Sequence, residues 1–326
     1  MIILTGGAGM IGSLIAWHLN TYLNVTDLVI VDELNDPLKE KNFAKRKILE
    51  FVEKENLFDY LKDQKKIDAI IHMGAISSTT ESNFNKLLFD NIRCSQKLWS
   101  FCAEKKIPFI YASSAATYGS GENGYEDFSK LNELSPLNAY GYSKHFFDCW
   151  VESQVLTKQK IPPQWCGLKF FNVYGPNEYH KGRMASVVLH AFNQFQKENE
   201  IRLFKSMHPK YKDGMQLRDF IYVKDAVKCV MYLLNNNQIN GLFNIGTGKA
   251  QTFYNLAEAV VKNLNVTNSV IKFIAMPLDL ENKYQYFTQA NINKLREANY
   301  KDNFMNLEQG VTDYLQNYLL KKDRHA

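Results

Sequence analysis

No stretch of the 326-residue sequence approaches the run of roughly 18 apolar residues that a bilayer span requires. The opening, Met1-Ile2-Ile3-Leu4-Thr5-Gly6, has no basic segment ahead of its apolar one. No membrane association is expected, and the expected location is cytoplasmic. Cysteine is scarce and scattered: Cys94, Cys102, Cys149, Cys166 and Cys229 are odd in number and form no CxxC pair. That removes a disulfide framework, a zinc site or other metal centre, and a dithiol redox centre, leaving reduced packing cysteines. Charge of one sign is also lacking. With 39 Lys and Arg against 34 Asp and Glu, the net +5 suits an anionic small molecule but falls short of a nucleic-acid footprint. The densest basic stretch, Lys39 to Lys47, reads as a solvated helix face, with a phosphate contact from part of it as the alternative. There is no internal repeat or low-complexity tract, and 45% hydrophobic with 22% charged residues excludes a fibre or a disordered tail.

What is present is alternation. Short runs rich in Ile, Val and Phe recur at Ile2 to Thr5, Leu28 to Asp32, Ala69 to Met73, Phe109 to Ser113 and Leu168 to Phe171, each of a length for a buried strand. Helical patterns lie between them, which is the signature of βαβ units and a parallel sheet. From Asn85 to Lys105, Leu88, Ile92, Trp99 and Cys102 share one helix face; after Tyr140 the expected buried set is Phe146, Phe147, Trp150, Val151 and Val155. Beyond Pro176 the alternation breaks into aromatic, Lys-rich stretches, suggesting a smaller lobe over the sheet. Gly241 to Gly246 again reads as a core strand. The expected class is α/β: a Rossmann-type doubly wound parallel sheet with a smaller α/β C-terminal substrate lobe. Residues 1–175 and 220–250 are assigned to the dinucleotide-binding domain, and 176–219 and 251–326 to the lobe.

The dinucleotide assignment rests on Gly6-Gly7-Ala8-Gly9-Met10-Ile11-Gly12, which follows the first strand and opens a helix. In that context Gly6 turns the backbone tightly, Gly9 leaves room for a pyrophosphate at the helix N-terminus, and Gly12 lets the helix approach the sheet. Asp32 ends the second strand 20 residues beyond Gly12, where a carboxylate accepts from a ribose 2′-hydroxyl and favours NAD. Lys39 or Lys54 could supply the opposite charge and admit NADP, so residue physics leaves the two open.

Tyr140-Gly141-Tyr142-Ser143-Lys144 sets a phenol and an ammonium four residues apart, on one face of a helix. About two such pairs are expected by chance, and a second occurs at Tyr318 and Lys322, so spacing alone carries nothing. The first pair is set apart by Ser113-Ser114-Ala115-Ala116-Thr117-Tyr118-Gly119, which leaves a strand end 26 residues before Tyr140, counted from Ser114. Ser114 can donate to a substrate oxygen while Tyr140 exchanges the proton, and Lys144 is expected to lower the tyrosine pKa and hold the nicotinamide ribose.

TGGAGMIG, SSAATYG and YGYSK, in that order, resemble the extended short-chain dehydrogenase/reductase superfamily over nearly the whole chain. More narrowly, Phe171-Asn172-Val173-Tyr174-Gly175-Pro176 and His180-Lys181-Gly182-Arg183-Met184-Ala185-Ser186 resemble the ADP-L-glycero-D-manno-heptose 6-epimerase family of lipopolysaccharide inner-core assembly. So do Leu217-Arg218-Asp219-Phe220 and Lys283-Tyr284-Gln285-Tyr286-Phe287-Thr288-Gln289-Ala290. The resemblance implies an NADP-dependent isomerase that oxidises C6 of the ADP-heptose substrate to a ketone and returns the hydride to the opposite face. It implies Tyr140 and Lys181 as the two acid/base groups, which also makes chemical sense, because inversion through a ketone needs a proton carrier in each of two poses. Cofactor contacts implied beyond the glycine loop are Asp32, Glu33, Lys39, Lys54, Met73, Gly74, Ala75, Ile76, Ser77, Asn91, Lys144 and Val173. Substrate contacts implied are Asn172, Arg183, His190, Phe204, Arg218 and Tyr284, with the forked Arg218 suited to pyrophosphate. A homo-oligomer is implied as well. His180 and His208 receive no role.

Three departures from that family matter unequally. Met10 replaces a frequent Phe, Glu33 stands where many members are neutral, and the loop Ser206 to Gln216 is longer. NADP is nonetheless the expectation, because Lys39 and Lys54 fall near the family's 2′-phosphate contacts. The competing readings are a UDP-sugar 4-epimerase, which shares Ser, Tyr and Lys, and a non-catalytic dinucleotide-sensing regulator. A 4,6-dehydratase fits poorly, since Ala115 and Ala116 follow Ser114 where an Asp-Glu pair would be needed.

Overall fold

The computed structural model describes residues 1–128, 130–264, 270–277 and 284–326. Its strands begin with β1 (Ile2–Thr5), β2 (Leu28–Asp32), β3 (Glu50–Glu53), β4 (Ala69–His72), β5 (Phe109–Ser114) and β6 (Trp165–Phe170). They continue with β7 (Asn172–Tyr174), β8 (Ile201–Phe204), β9 (Leu217–Arg218), β10 (Phe220–Tyr222), β11 (Gly241–Ile245), β12 (Gln251–Thr252) and β13 (Ile271–Ile274). Seven of them form one sheet in the order β11-β6-β5-β4-β1-β2-β3. Every pairing in it is parallel.

Helices cover both faces, so the strands are apolar on both sides. Leu4, Ile30, Ile71 and Ile110 point to one core with Leu14, Ile15, Val227 and Val230. Ile3, Val29, Ile70 and Phe109 point to the other, with Leu57, Leu98, Trp99 and Phe147. β1 has β2 on one side and β4 on the other, so the loops leaving β1 and β4 part and open a crevice at the C-terminal edge of the sheet, where such folds bind ligands. Three small pairs lie outside the sheet: β7 with β10, β8 with β13, and β9 with β12. No helix among the described residues is long and apolar enough to cross a membrane.

Three sequence expectations change. β3, with the sequence EFVE, was not anticipated, because an edge strand with a charged residue at each end lacks the apolar run used as the signal. The segment expected as one helix over Asn85 to Lys105 runs as a helix at Phe84–Leu87, a π turn at Leu88–Arg93 and a helix at Cys94–Lys105. The wider turn rotates the buried face, so Leu87 and Asn91 are buried whereas Leu88 is only partly so. On the helix Ala139–Leu156, Phe147 and Val151 are buried as expected, but Phe146 and Val155 are exposed at 46% and 37%. The face presented to the sheet carries Ser143, Lys144, Phe147, Asp148 and Val151, which leaves 146 and 155 off it.

Candidate active site

The glycine loop is built for close approach. Gly6 has φ +66°, and a Cβ there would lie 2.5 Å from the Gly74 amide; a Cβ on Gly12 would lie 2.1 Å from the Gly6 carbonyl oxygen. The helix Met10–Tyr22 starts at Gly9 with no side-chain cap, so its first-turn amides, at Met10, Ile11 and Gly12, face the crevice without a protein acceptor from a capping side chain. An uncapped helix N-terminus behind a glycine cradle fits a dinucleotide pyrophosphate.

The acidic end of β2 lies beside this loop. Asp32 accepts from the Ala8 amide at 2.9 Å and from Lys39 Nζ at 2.5 Å. Glu33 pairs with Lys54 at 2.6 Å. Across the crevice, Met73, Gly74, Ala75, Ile76 and Ser77 follow β4, and Gly74 donates to Thr5 Oγ1 at 3.2 Å. Asn91, carried on the π turn, binds this segment at both ends: its Oδ1 accepts from Ile76 N at 2.9 Å, and its Nδ2 donates to Ile76 O at 3.0 Å and to Ser143 Oγ at 2.9 Å. Val173 lies on β7, just past the end of β6.

Ser114 closes β5 and Tyr140 opens the helix Ala139–Leu156, capped by Asn138 accepting from Gly141 N at 2.8 Å. Burial pushes the Tyr140 phenol above its ordinary pKa, the Ser114 hydroxyl pulls it down, and Asp148 pushes it up. The expected lowering by Lys144 is not what this arrangement produces. Burial sets the direction for Tyr140, and Lys144, 4% exposed, instead donates to Ala112 O at 2.9 Å. Burial pushes Lys144 down to about 8, against Asp148 and Cys94.

Lys181 sits on the short 3-10 segment Tyr179–Met184. Burial lowers its pKa, opposed by Glu178. Glu178 is itself fully buried, accepting from the Ser186 amide at 2.5 Å and hydroxyl at 2.7 Å. Two contacts hold the Lys181 loop against the crevice. Thr79 Oγ1 reaches Met184 Sδ at 3.8 Å, and Asn42 Nδ2 donates to Ala8 O at 2.8 Å and Asn177 O at 3.0 Å and reaches His180 Nδ1 at 3.3 Å. His180, given no role from the sequence, thus links the lysine loop through Asn42 to the glycine loop at Ala8. Burial holds its pKa near 4, so the ring is neutral.

A cavity of about 390 Å³ gathers Arg183, His190, Phe204 and Tyr284 from three separate stretches of chain. Arg218 is not among the residues lining the cavity but packs on two that are: it is 6% exposed, with its guanidinium 5.0 Å from the Tyr284 ring and 5.6 Å from that of Phe253. It donates to Leu217 O at 2.9 Å, and no carboxylate pairs with it among the described residues. Burial lowers its pKa, yet a guanidinium stays charged, so this is a desolvated cation behind two of the cavity's aromatic rings. Asn172, exposed at the start of β7, is not among the residues lining the cavity. Lys283 lies outside the described residues.

Thr79, Thr80, Gln194, Arg202, Gln216 and Phe253 also line the cavity and were not anticipated. For the threonines a signal existed, since Ser77-Ser78-Thr79-Thr80 is a hydroxyl run just past a strand end, like the one after β5. The long 206–216 loop adds an aromatic wall. His208 and Tyr211 stack near Tyr286, at 5.0 and 5.7 Å, and Tyr286 meets Tyr284 at 5.2 Å.

The sequence model of the NAD dependent epimerase/dehydratase family matches residues 2–246. A protein of Fusobacterium nucleatum named ADP-L-glycero-D-manno-heptose-6-epimerase is 51% identical over 336 aligned positions, covering 100% of both chains. The crystal structure of the Helicobacter pylori enzyme of that name superposes with a TM-score of 0.79 at 28% identity, covering 97% of this chain and 95% of that one. A UDP-glucuronic acid 4-epimerase from Bacillus cereus, solved with NAD, shares the fold at TM-score 0.76 and 23% identity, covering 97% and 99%.

Proposed function

The chain belongs to the NAD dependent epimerase/dehydratase family, and on that premise we propose that it inverts C6 of ADP-D-glycero-D-manno-heptose to give the L-glycero isomer. The observation that carries this reading is Lys181, a half-buried lysine of lowered pKa suited to serve as a second proton carrier besides Tyr140, in a chain matched end to end by a relative named for the activity. A nicotinamide dinucleotide held by the glycine loop, Asp32 and Lys144 would supply reversible hydride exchange at C6, on either face of the ketone.

The residues do the rest. Ser114 donates to the C6 oxygen, and Tyr140 accepts the hydroxyl proton as C6 becomes a carbonyl. Once the ketone has turned, Lys181 delivers the proton to the oxygen from its own side. Lys144 holds the nicotinamide ribose, and Arg218 offers parallel donors to the diphosphate. The cofactor is a nicotinamide dinucleotide; we read it as NADP, with its 2′-phosphate received by Lys39 and Lys54. The enzyme acts in the cytoplasm as a homo-oligomer, supplying heptose for lipopolysaccharide core synthesis.

The test is an NMR assay on ADP-D-glycero-D-manno-heptose, run beside UDP-galactose, with native mass spectrometry of the protein to identify retained nucleotide. Conversion of the heptose alone supports the reading. Turnover of UDP-galactose with none of the heptose overturns it in favour of a 4-epimerase, and a folded protein that takes up no pyridine nucleotide overturns both.

A further inference from the structure

The pocket proposed to receive the 2′-phosphate is already electrically filled. Lys39 is committed to Asp32 at 2.5 Å and also donates to the Glu33 carbonyl at 2.8 Å. Lys54 is committed to Glu33 Oε2 at 2.6 Å, with Glu55 at 3.9 Å and Asp90 acting on it through space. Two ammonium groups therefore meet at least two carboxylates, and no positive charge is left over for a phosphate dianion.

The two carboxylates are not equivalent. Asp32 is 9% exposed and fixed by the Ala8 and Glu33 amides at 2.9 and 2.8 Å, so it stays where a ribose hydroxyl needs an acceptor. The Glu33 side chain is 42% exposed and held by Lys54 and by Asn35 Nδ2 at 3.1 Å. A rim pair of that exposure is weak and can be broken by a stronger anion. A 2′-phosphate would have to take Lys54 from Glu33 and then share the rim with a displaced negative charge. A 2′-hydroxyl meets no such cost: it uses Asp32 and leaves the Glu33–Lys54 pair intact.

We infer that Glu33 is the specificity-determining residue of the cofactor site, an intramolecular competitor for Lys54 that holds the preference for NADP over NAD to a small factor. This rests on the proposed placement of the 2′-phosphate between Lys39 and Lys54. A neutral residue at position 33 would leave Lys54 without this partner.

The experiment reads occupancy rather than turnover. Purified holoprotein is incubated with equimolar NAD and NADP until the bound ratio is constant, and native mass spectrometry separates the two loaded forms by the mass of one phosphate. For the wild type, the NADP to NAD ratio is expected within about threefold of unity. Glu33→Gln is expected to raise it about tenfold, the scale of one partly screened charge at close range, and Lys54→Ala to lower it. An unchanged ratio in Glu33→Gln, with Lys54→Ala still shifting it, overturns the inference and leaves the phosphate placement standing. If Lys39→Ala and Lys54→Ala also leave the ratio unchanged, the phosphate placement itself falls.

Discussion

Lys169 Nζ lies 2.8 Å from Asp148 Oδ2, and the two side chains are 1% and 0% exposed, directly beneath the strand end that carries Ser114. Lys169 stands opposite Ser113 in the β5–β6 ladder, while Asp148 is one turn beyond Lys144 on its helix. The remaining bonds close the cluster. Ser113 Oγ and Tyr111 OH donate to Asp148 at 2.6 and 3.1 Å, and Lys169 donates to Thr117 Oγ1 at 2.7 Å. One buried ion pair thus ties β5, β6, the turn after Ser114 and the helix of Tyr140 into a single block.

Removing one member strands the other. Asp148→Asn leaves an ammonium in the core and is expected to cost about 3–5 kcal/mol of folding stability, whereas Asp148→Asn with Lys169→Met recovers most of it. Denaturant unfolding of both variants decides this; a single variant as stable as wild type would show that the pair does not hold the block together.

Tyr140→Phe removes one hydroxyl from a helix start whose cap, Asn138, is untouched. The variant is expected to fold and retain its dinucleotide while epimerisation drops by about 100-fold or more, the scale of lost acid/base assistance. Ultraviolet absorbance of the retained cofactor and the NMR assay measure the two halves separately. Wild-type turnover in this variant would take Tyr140 out of the mechanism.

Much of the fold could be read from the sequence because its signals are local. β1, β2 and the intervening glycine loop lie within Ile2–Asp32, and each glycine answers to a backbone constraint. The Lys169–Asp148 pair was not legible, since its members come from a strand that reads as apolar and a helix position one turn past the YGYSK motif, and nothing in either stretch names the other. The same holds for Asn42, Asn177 and His180, whose contacts span 135 and 138 residues. The π turn defeated periodicity for a different reason: one added residue in a helix turn is invisible to a fixed repeat, yet it is what turns Asn91 inward onto Ile76 and Ser143.

The two lysines act on the alkaline limb of the pH profile. Lys144 acts as an ammonium, and burial brings it down to about 8, so activity should fall as pH rises through that value. Lys181 delivers a proton only as an ammonium, and burial lowers its pKa as well, so its loss of the proton adds to the fall at a point below the ordinary lysine value of about 10.4. A kcat/KM profile that falls on the alkaline side from near 8 is expected. A rate still climbing from pH 8 to pH 10 would contradict the assignment of Lys144.

Gly12→Ala tests the cradle. A Cβ there would sit 2.1 Å from the Gly6 carbonyl oxygen and 2.8 Å from the Gly7 Cα, both backbone, so neither neighbour can swing aside. The helix must lift from the sheet, which misplaces its first-turn amides. The expected result is loss of retained dinucleotide, together with a lowered melting temperature. Gly182→Ala is the control: a Cβ at Gly182 meets nothing within 4 Å, so any effect there comes from its φ of +51°.

Arg218 is the last residue whose chemistry can be separated from its packing. It is a desolvated cation with aromatic rings on two sides and no carboxylate partner among the described residues. In the proposed role its forked donors pair with the diphosphate. Arg218→Gln should raise KM for the nucleotide sugar by about 10- to 100-fold, the worth of one or two hydrogen bonds from a charged donor, with kcat changed far less. Arg218→Lys keeps the charge but not the fork, and is expected to recover only part of the loss. Inhibition by free ADP should weaken in parallel with KM, because ADP carries the same two phosphates. If ADP inhibition survives in Arg218→Gln while KM rises, the guanidinium is positioning the sugar instead.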